Sequence, residues 1–259
     1  MSTFSVSMVR DEVDVIEATL RHTAKHVDHL IVADNGSVDG TRDVLADLTR
    51  DLPLTVLDDP EIGYFQSAKM TKLAHLAGGM GAVWVVPVDA DEAWYSRDAP
   101  RIADTLAGVA AQWLAVAADL FDHVPTASDG HAESHIRRIG YRRKIPAPLR
   151  KVAVRVRPDL RIEQGNHSAT YDGGTSTLDG LLVVRHYPYR SPEQFVSKAR
   201  NGAQAYAATE LPWEFGQHWR EYGQILDNDG PEALHGVFHR WFWSEDPAHD
   251  DSLIFDPCP

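Results

Sequence analysis

Along the first part of the chain, short apolar runs alternate with stretches whose apolar residues recur every three or four positions. Phe4–Val9 reads as a buried strand. Val13, Ile16, Leu20, Ala24 and Val27 then fall on one helical face, with Arg, Lys and His between them. His29–Ala33 predicts a second strand, Val44, Leu45 and Leu48 a second helix, and Leu54–Leu57 a third strand. Gln66–Ala77 predicts a helix, with Gly78-Gly79 beyond it as a stop. Ala82–Val88 reads as a fourth strand, Asp98 and Pro100 as the opening of a helix, and Trp113–Ala118 as another strand. Strands separated by helices predict βαβ units and an α/β fold with a mostly parallel, Rossmann-type central sheet.

Such sheets bind ligands at the carboxyl ends of their strands. Three of the predicted strands end in acidic clusters there: Arg10-Asp11-Glu12, Asp34-Asn35-Gly36-Ser37 and Asp89-Ala90-Asp91-Glu92. Partly buried carboxylates cost free energy unless something offsets them. A divalent metal does so, and so does solvent at a plain strand end. Asp39 and Ser37 also suit capping of the next helix, and Asp11 is as well placed to cap as to touch a ligand.

The second part has a different texture. Residues 137–158 hold nine Lys or Arg and no Asp or Glu. Val152, Val154 and Val156 alternate with Ala153, Arg155 and Arg157, which predicts a strand with one basic face. The bland reading is a solvated hairpin; the sharper one has arginines holding a diphosphate or an anionic acceptor. Leu181–Val184 reads as a strand before Arg185-His186-Tyr187, and Ser191-Pro192-Glu193 opens a helix to about Thr209. Leu234, Val237, Phe238, Trp241 and Phe242 form an apolar helical stripe, expected to be core. Its aromatics would otherwise suit an acceptor wall or a membrane surface.

Charge narrows the function. The formal net charge is −13, which argues against nonspecific nucleic-acid binding. No apolar run approaches a membrane span of roughly 20 residues, and the acidic pair near the N-terminus does not suit a signal peptide. The single cysteine, Cys258, allows no internal disulfide, so the expectation is a cytoplasmic protein, at most peripheral at the membrane.

The stretches VRDEVDVIEATLRH, LIVADNGSVDGT and WVVPVDADEAW resemble family 2 glycosyltransferases of the GT-A fold, and HYPYRSPEQFVSKARNG resembles a branch of that family. The resemblance covers about the first 95 residues well, is patchy to roughly Gly202, and does not extend beyond. It implies a single GT-A-like domain, residues 1–259. Residues 1–95 form the nucleotide-sugar donor half, 96–210 the acceptor half and 211–259 a helical C-terminal extension. It implies a nucleotide-diphosphate-sugar donor, an acceptor hydroxyl or amine on a saccharide, lipid or small natural product, Mn²⁺ or Mg²⁺, and inversion at the anomeric carbon.

By analogy, Asp11 and Asp34 contact base and ribose, Gln66, Lys69 and Lys72 contact the nucleotide, and Asp89 and Asp91 are the Asp-x-Asp pair. Two departures stand out: Asp34-Asn35 replaces the usual Asp-Asp, and no Glu-Asp pair marks the catalytic base. Candidates for that base are Asp119, Asp122, Glu163, His167 and Asp172. His167 also suits a metal ligand or a phosphate contact, and His186, at a strand end, a metal ligand. One rival is a nucleotidyltransferase, whose usual Gly-rich loop after the first strand is missing from VRDEVDV. The other is a non-catalytic nucleotide-sugar-binding protein.

Overall fold

A computed structural model describes residues 1–129 and 135–258. In chain order the elements begin β1 (Ser2–Val9), α1 (Ile16–Thr23), β2 (His29–Asp34), α2 (Thr41–Leu48), β3 (Leu54–Asp58), α3 (Gln66–Gly79) and β4 (Ala82–Pro87). They continue with β5 (Glu92–Ser96), α4 (Ile102–Ala107), β6 (Ala115–Val124), α5 (His135–Arg138), β7 (Tyr141–Arg143) and β8 (Lys151–Arg155). The last are β9 (Arg161–Ile162), β10 (Ala169–Thr170), β11 (Thr177–His186), α6 (Pro192–Ala207), α7 (Gln217–Asp229), α8 (Pro231–Trp241) and β12 (Leu253–Phe255).

The chain forms two compact units. The first holds residues 1–59, 65–121 and 145–186. Its sheet is parallel across β3, β2, β1 and β4, the four strands read from the apolar runs. Beyond β4 the direction reverses: β8 is antiparallel to β4, and β6 is antiparallel to β8. β11 pairs antiparallel with β5. The expected α/β sheet with flanking helices is therefore present, its parallel part confined to one side. Met70, Leu73, Ala74 and Ala77 of α3 pack on Phe4, Val6, Ile31 and Val85 of the sheet. Burial of such side chains stabilises by roughly 1.5–3 kcal/mol each.

Several local expectations need correction. Gly78 and Gly79 do not stop α3; they are its last two residues. A Cβ on Gly78 would lie 2.5 Å from Cγ1 of Val156, so the glycine is there to let the helix approach β8's extension. Gly79 has open space around it. Gly78→Ala is expected to destabilise by about 1–3 kcal/mol, because stiff Val156 must move. Gly79→Ala is expected to stabilise by about 0.5–1 kcal/mol, by ordinary helix propensity. Urea denaturation of the two variants checks the opposite signs.

The helix expected at Asp98 starts later, at Ile102. The backbone N–H groups of Asp98 and Ala99 donate to Ser96 Oγ instead, which closes a turn first. The basic face of β8, Lys151 and Arg155, is not a solvated one: Lys151 is buried and Arg155 is half-buried, stacked on Trp84. β5 went unpredicted, because it begins on the acidic Glu92.

The second unit holds residues 60–64, 122–144 and 187–259. His123 and Val124, at the end of β6, pair with β7, and β12 pairs with β7. Ser191 caps α6 by accepting from Gln194 N, with Pro192 in the first turn, as the sequence signals. Phe195, Val196 and Ala199 of α6 pack with Leu234 and Phe238 of α8. The C-terminal stripe is thus largely core, except Trp241, which is 64% exposed.

Candidate functional site

All but one of the candidate residues lie in the first unit; Asp122 belongs to the other. At the end of β1 the backbone turns through Asp11, whose φ of 53° is left-handed. That turn is laced to the loop after β2. Asp11 N donates to Ser37 Oγ (3.0 Å), Val38 N to Asp11 Oδ1 (2.7 Å), and Val13 N to Asp39 Oδ2 (3.0 Å). Asp39 also accepts from Thr41 N at the start of α2. Asp34 is buried, its Oδ1 accepting from Ser37 N and its Oδ2 lying 3.5 Å from the Arg42 guanidinium. Asn35 Nδ2 donates to the carbonyl and carboxylate of Asp59, and Lys69 pairs with Asp59 at 2.7 Å. The substitution of Asn for the usual second Asp therefore creates a donor that ties the loops after β2 and β3 together. Lys72 is exposed on α3.

The Asp89–Glu92 turn links β4 to β5. Glu92 is fully buried; its Oε2 accepts from Trp94 Nε1 (2.9 Å) and from Asp89 N (3.2 Å). Lys151, only 4% exposed, sits between Glu92 and Asp89. Its Nζ lies 2.5 Å from Asp89 Oδ2, 2.8 Å from Glu92 Oε1 and 2.9 Å from the Gly165 carbonyl. Asn166 Nδ2 donates to Asp89 Oδ1 at 3.0 Å. Asp89 is thereby engaged at both oxygens by Lys151 and Asn166.

Burial pushes the Glu92 carboxyl up, and Asp89's charge adds to this while Lys151 opposes it. Burial works against the Lys151 ammonium, but the two carboxylates more than offset it and hold its pKa above the usual lysine range.

Gln66, buried at the start of α3, accepts from Gly165 N through Oε1 (2.7 Å). Gly165 and Asn166 both have left-handed φ, 74° and 60°. His167 follows. Its Nδ1 lies 2.9 Å from the Arg150 carbonyl, which only accepts, so Nδ1 carries the hydrogen and Nε2 the lone pair. Burial, then the Lys151 charge, pushes the imidazole pKa down. The ring lies against Gly165, where an added Cβ would collide with it.

Register places His186 of β11 opposite Glu92 of β5. His186 Nε2 is 3.8 Å from Oδ1 of the buried Asp91. The structure thus gathers Gln66, Asp89, Asp91, His167 and His186 around one strand end. Glu163 stands apart, accepting from Thr170 Oγ1 across the β9–β10 hairpin. Asp119 pairs with Arg97, and Asp172 lies 3.8 Å from Arg161.

Lys151, Glu92 and Asn166 were missed as site residues. Glu92 was visible in the Asp-Ala-Asp-Glu cluster, but Lys151 was lost among eight basic neighbours.

Behind the turn, His22 of α1 donates through Nε2 to the Trp94 carbonyl (2.9 Å), with its ring against His26 and Tyr95. Burial holds its pKa down at about 4. Unfolded, it titrates near 6.5, so between these values the unfolded chain binds the extra proton. Stability is full above pH 6.5 and is lost as pH falls toward 4, by up to about 3 kcal/mol. The melting temperature of His22→Gln is expected to fall less steeply over that window than that of the unaltered protein.

Among solved structures, S. aureus TarS is similar at 14% identity and a TM-score of 0.43, over 88% of this chain and 44% of that one. TarS 1-349 in complex with UDP-GlcNAc is 15% identical, with a TM-score of 0.41, over 88% of this chain and 73% of that one. GalNAc-T7 with UDP, GalNAc and Mn²⁺ is 11% identical, with a TM-score of 0.41, over 93% and 58%. The chain spans less than half the length of the first of these. Likenesses of this size carry no functional argument, and no curated protein matches the chain. The family assignment rests on the sequence profile of "Glycosyl transferase family 2", which matches residues 6–145, more than half of the chain. This protein belongs to glycosyl transferase family 2.

Proposed function

We propose that the chain is a metal-dependent glycosyltransferase that moves a sugar, with inversion, from a nucleotide-diphosphate-sugar to an acceptor hydroxyl or amine. The observation that carries this reading is the buried Asp91 carboxylate, whose Oδ1 lies 3.8 Å from the His186 imidazole at the end of β4. No group of three or more His, Cys, Asp or Glu forms a cage among the described residues. A donor-borne diphosphate makes such a cage unnecessary. Hard divalent cations take one or two protein ligands and complete their shell with phosphate oxygens and water. Asp91 and His186 fit that need as an oxygen and a nitrogen donor.

Asp91 and His186 would hold Mn²⁺ or Mg²⁺, which would supply positive charge to the diphosphate leaving group. The laced loops carrying Asp11 and Asp34 form the base and ribose side, with Lys69 and Lys72 on α3 beside them. The domain reading is one GT-A-like domain, donor half first, with the later residues building the acceptor side.

His167 is the base in this reading. It is neutral, its Nδ1 is fixed on Arg150, and Nε2 is the atom that takes the acceptor proton. Glu163 is the lesser candidate, since it is bonded to Thr170. No helix among the described residues is long and apolar enough to cross a membrane. The proposed setting is the cytoplasm.

The test is release of nucleoside diphosphate from UDP-, GDP- and TDP-sugars, with Mn²⁺ and with chelator. Metal-dependent release from one donor is the expected result. Synthesis of a nucleotide-sugar with release of pyrophosphate would replace this reading with a nucleotidyltransferase.

A further inference from the structure

The Asp89–Glu92 turn is fastened at Asp89, Ala90 and Glu92. Lys151 and Asn166 hold the Asp89 carboxylate, Thr19 Oγ1 donates to the Ala90 carbonyl at 2.6 Å, and Glu92 holds Asp89 N and Trp94 Nε1. Lys151 Nζ donates to Asp89 Oδ2 and to the Gly165 carbonyl, and its charge pairs with Glu92 Oε1 at 2.8 Å. One of those acceptors, the Gly165 carbonyl, comes from a left-handed turn that Gln66 holds by its N–H. Burying one ammonium with two carboxylates is a poor way to gain stability alone. Apolar replacements of buried ion pairs are often neutral or better. Its use here is to fix geometry.

We propose that Lys151, together with Asn166, is a positioning residue: it pins the Asp89–Glu92 turn so that the intervening Asp91 is presented to the divalent cation in one fixed place. This rests on the glycosyltransferase reading and adds two residues to it. Lys151 touches neither donor nor acceptor; it acts through the turn.

The test separates position from stability. Lys151→Met/Glu92→Gln removes the ammonium and one buried carboxylate together, leaving near-isosteric side chains. Asn166→Gly removes the second tether and suits the left-handed backbone. The readout is the Mn²⁺ concentration that half-saturates the thermal shift given by whichever of UDP, GDP, TDP or CDP the unaltered protein binds. The double variant is expected to melt within a few degrees of the unaltered protein and to need at least tenfold more Mn²⁺. Asn166→Gly is expected to need about threefold more. Unchanged half-saturation in either folded variant overturns the proposal. Absence of any Mn²⁺-dependent nucleotide shift in the unaltered protein overturns the underlying reading, and this one with it.

Discussion

Asp91→Asn is expected to lower kcat for metal-dependent donor turnover by about 10³-fold while leaving the fold intact. The size follows from the role. A cation at the diphosphate stabilises charge that develops as the glycosidic bond stretches, and removing one such stabilising element typically costs 10²- to 10³-fold. Asparagine keeps the shape of aspartate but loses the anionic charge that a hard cation prefers. Stability moves the other way. Asp91 is a buried carboxylate, and a buried charge costs free energy that a neutral isostere does not. The melting temperature of the variant is therefore expected to hold or rise slightly. Steady-state release of nucleoside diphosphate, read beside a melting curve, checks both halves. Activity within threefold of the unaltered protein would remove Asp91 from the reaction.

Lys151→Met alone is expected to cost about 3–5 kcal/mol, because it leaves the fully buried Glu92 carboxylate and the part-buried Asp89 carboxylate without their cation. For a chain of this size that corresponds to a fall in melting temperature on the order of 10 °C. Glu92 carries most of the penalty. It is fully buried, while the Asp89 side chain keeps some exposure and its bond from Asn166. Glu92→Gln added to Lys151→Met is expected to recover most of the loss. Urea denaturation of the two single variants and the double gives the coupling directly, since paired groups in contact do not behave additively. A Lys151→Met protein that melts with the unaltered one would show that the triad contributes nothing to the fold.

The parallel side of the sheet was legible in the chain because its signal is local. Four apolar runs, the first three each followed by a helical stretch, gave β1 to β4 with their ends displaced by two residues at most. The acidic strand ends were legible for the same reason. β5 was not, since a strand that begins on a buried glutamate reads as a polar loop until its lysine partner is known. That partner comes from a segment whose arginines look solvated, and only the antiparallel pairing of β8 with β4 brings it under the turn. Gly78 misled in another way. It reads as a helix stop by type, but it serves a close contact with Val156 that no local pattern records. Asp89 and Asp91 look equivalent in the sequence. The structure separates them by neighbours, Lys151 and Asn166 for one and His186 for the other.

The central claim is a metal-dependent nucleotide site built on Asp91. The most direct measurement is a thermal-shift panel of UDP, GDP, TDP and CDP, each with and without Mn²⁺, on the unaltered protein and on Asp91→Ala. A ligand that binds only the native state raises the melting temperature by mass action. The account predicts a shift for one nucleotide that requires Mn²⁺ and disappears in Asp91→Ala. A folded protein that gives no shift with any of the four, or the same shift in Asp91→Ala, would contradict it.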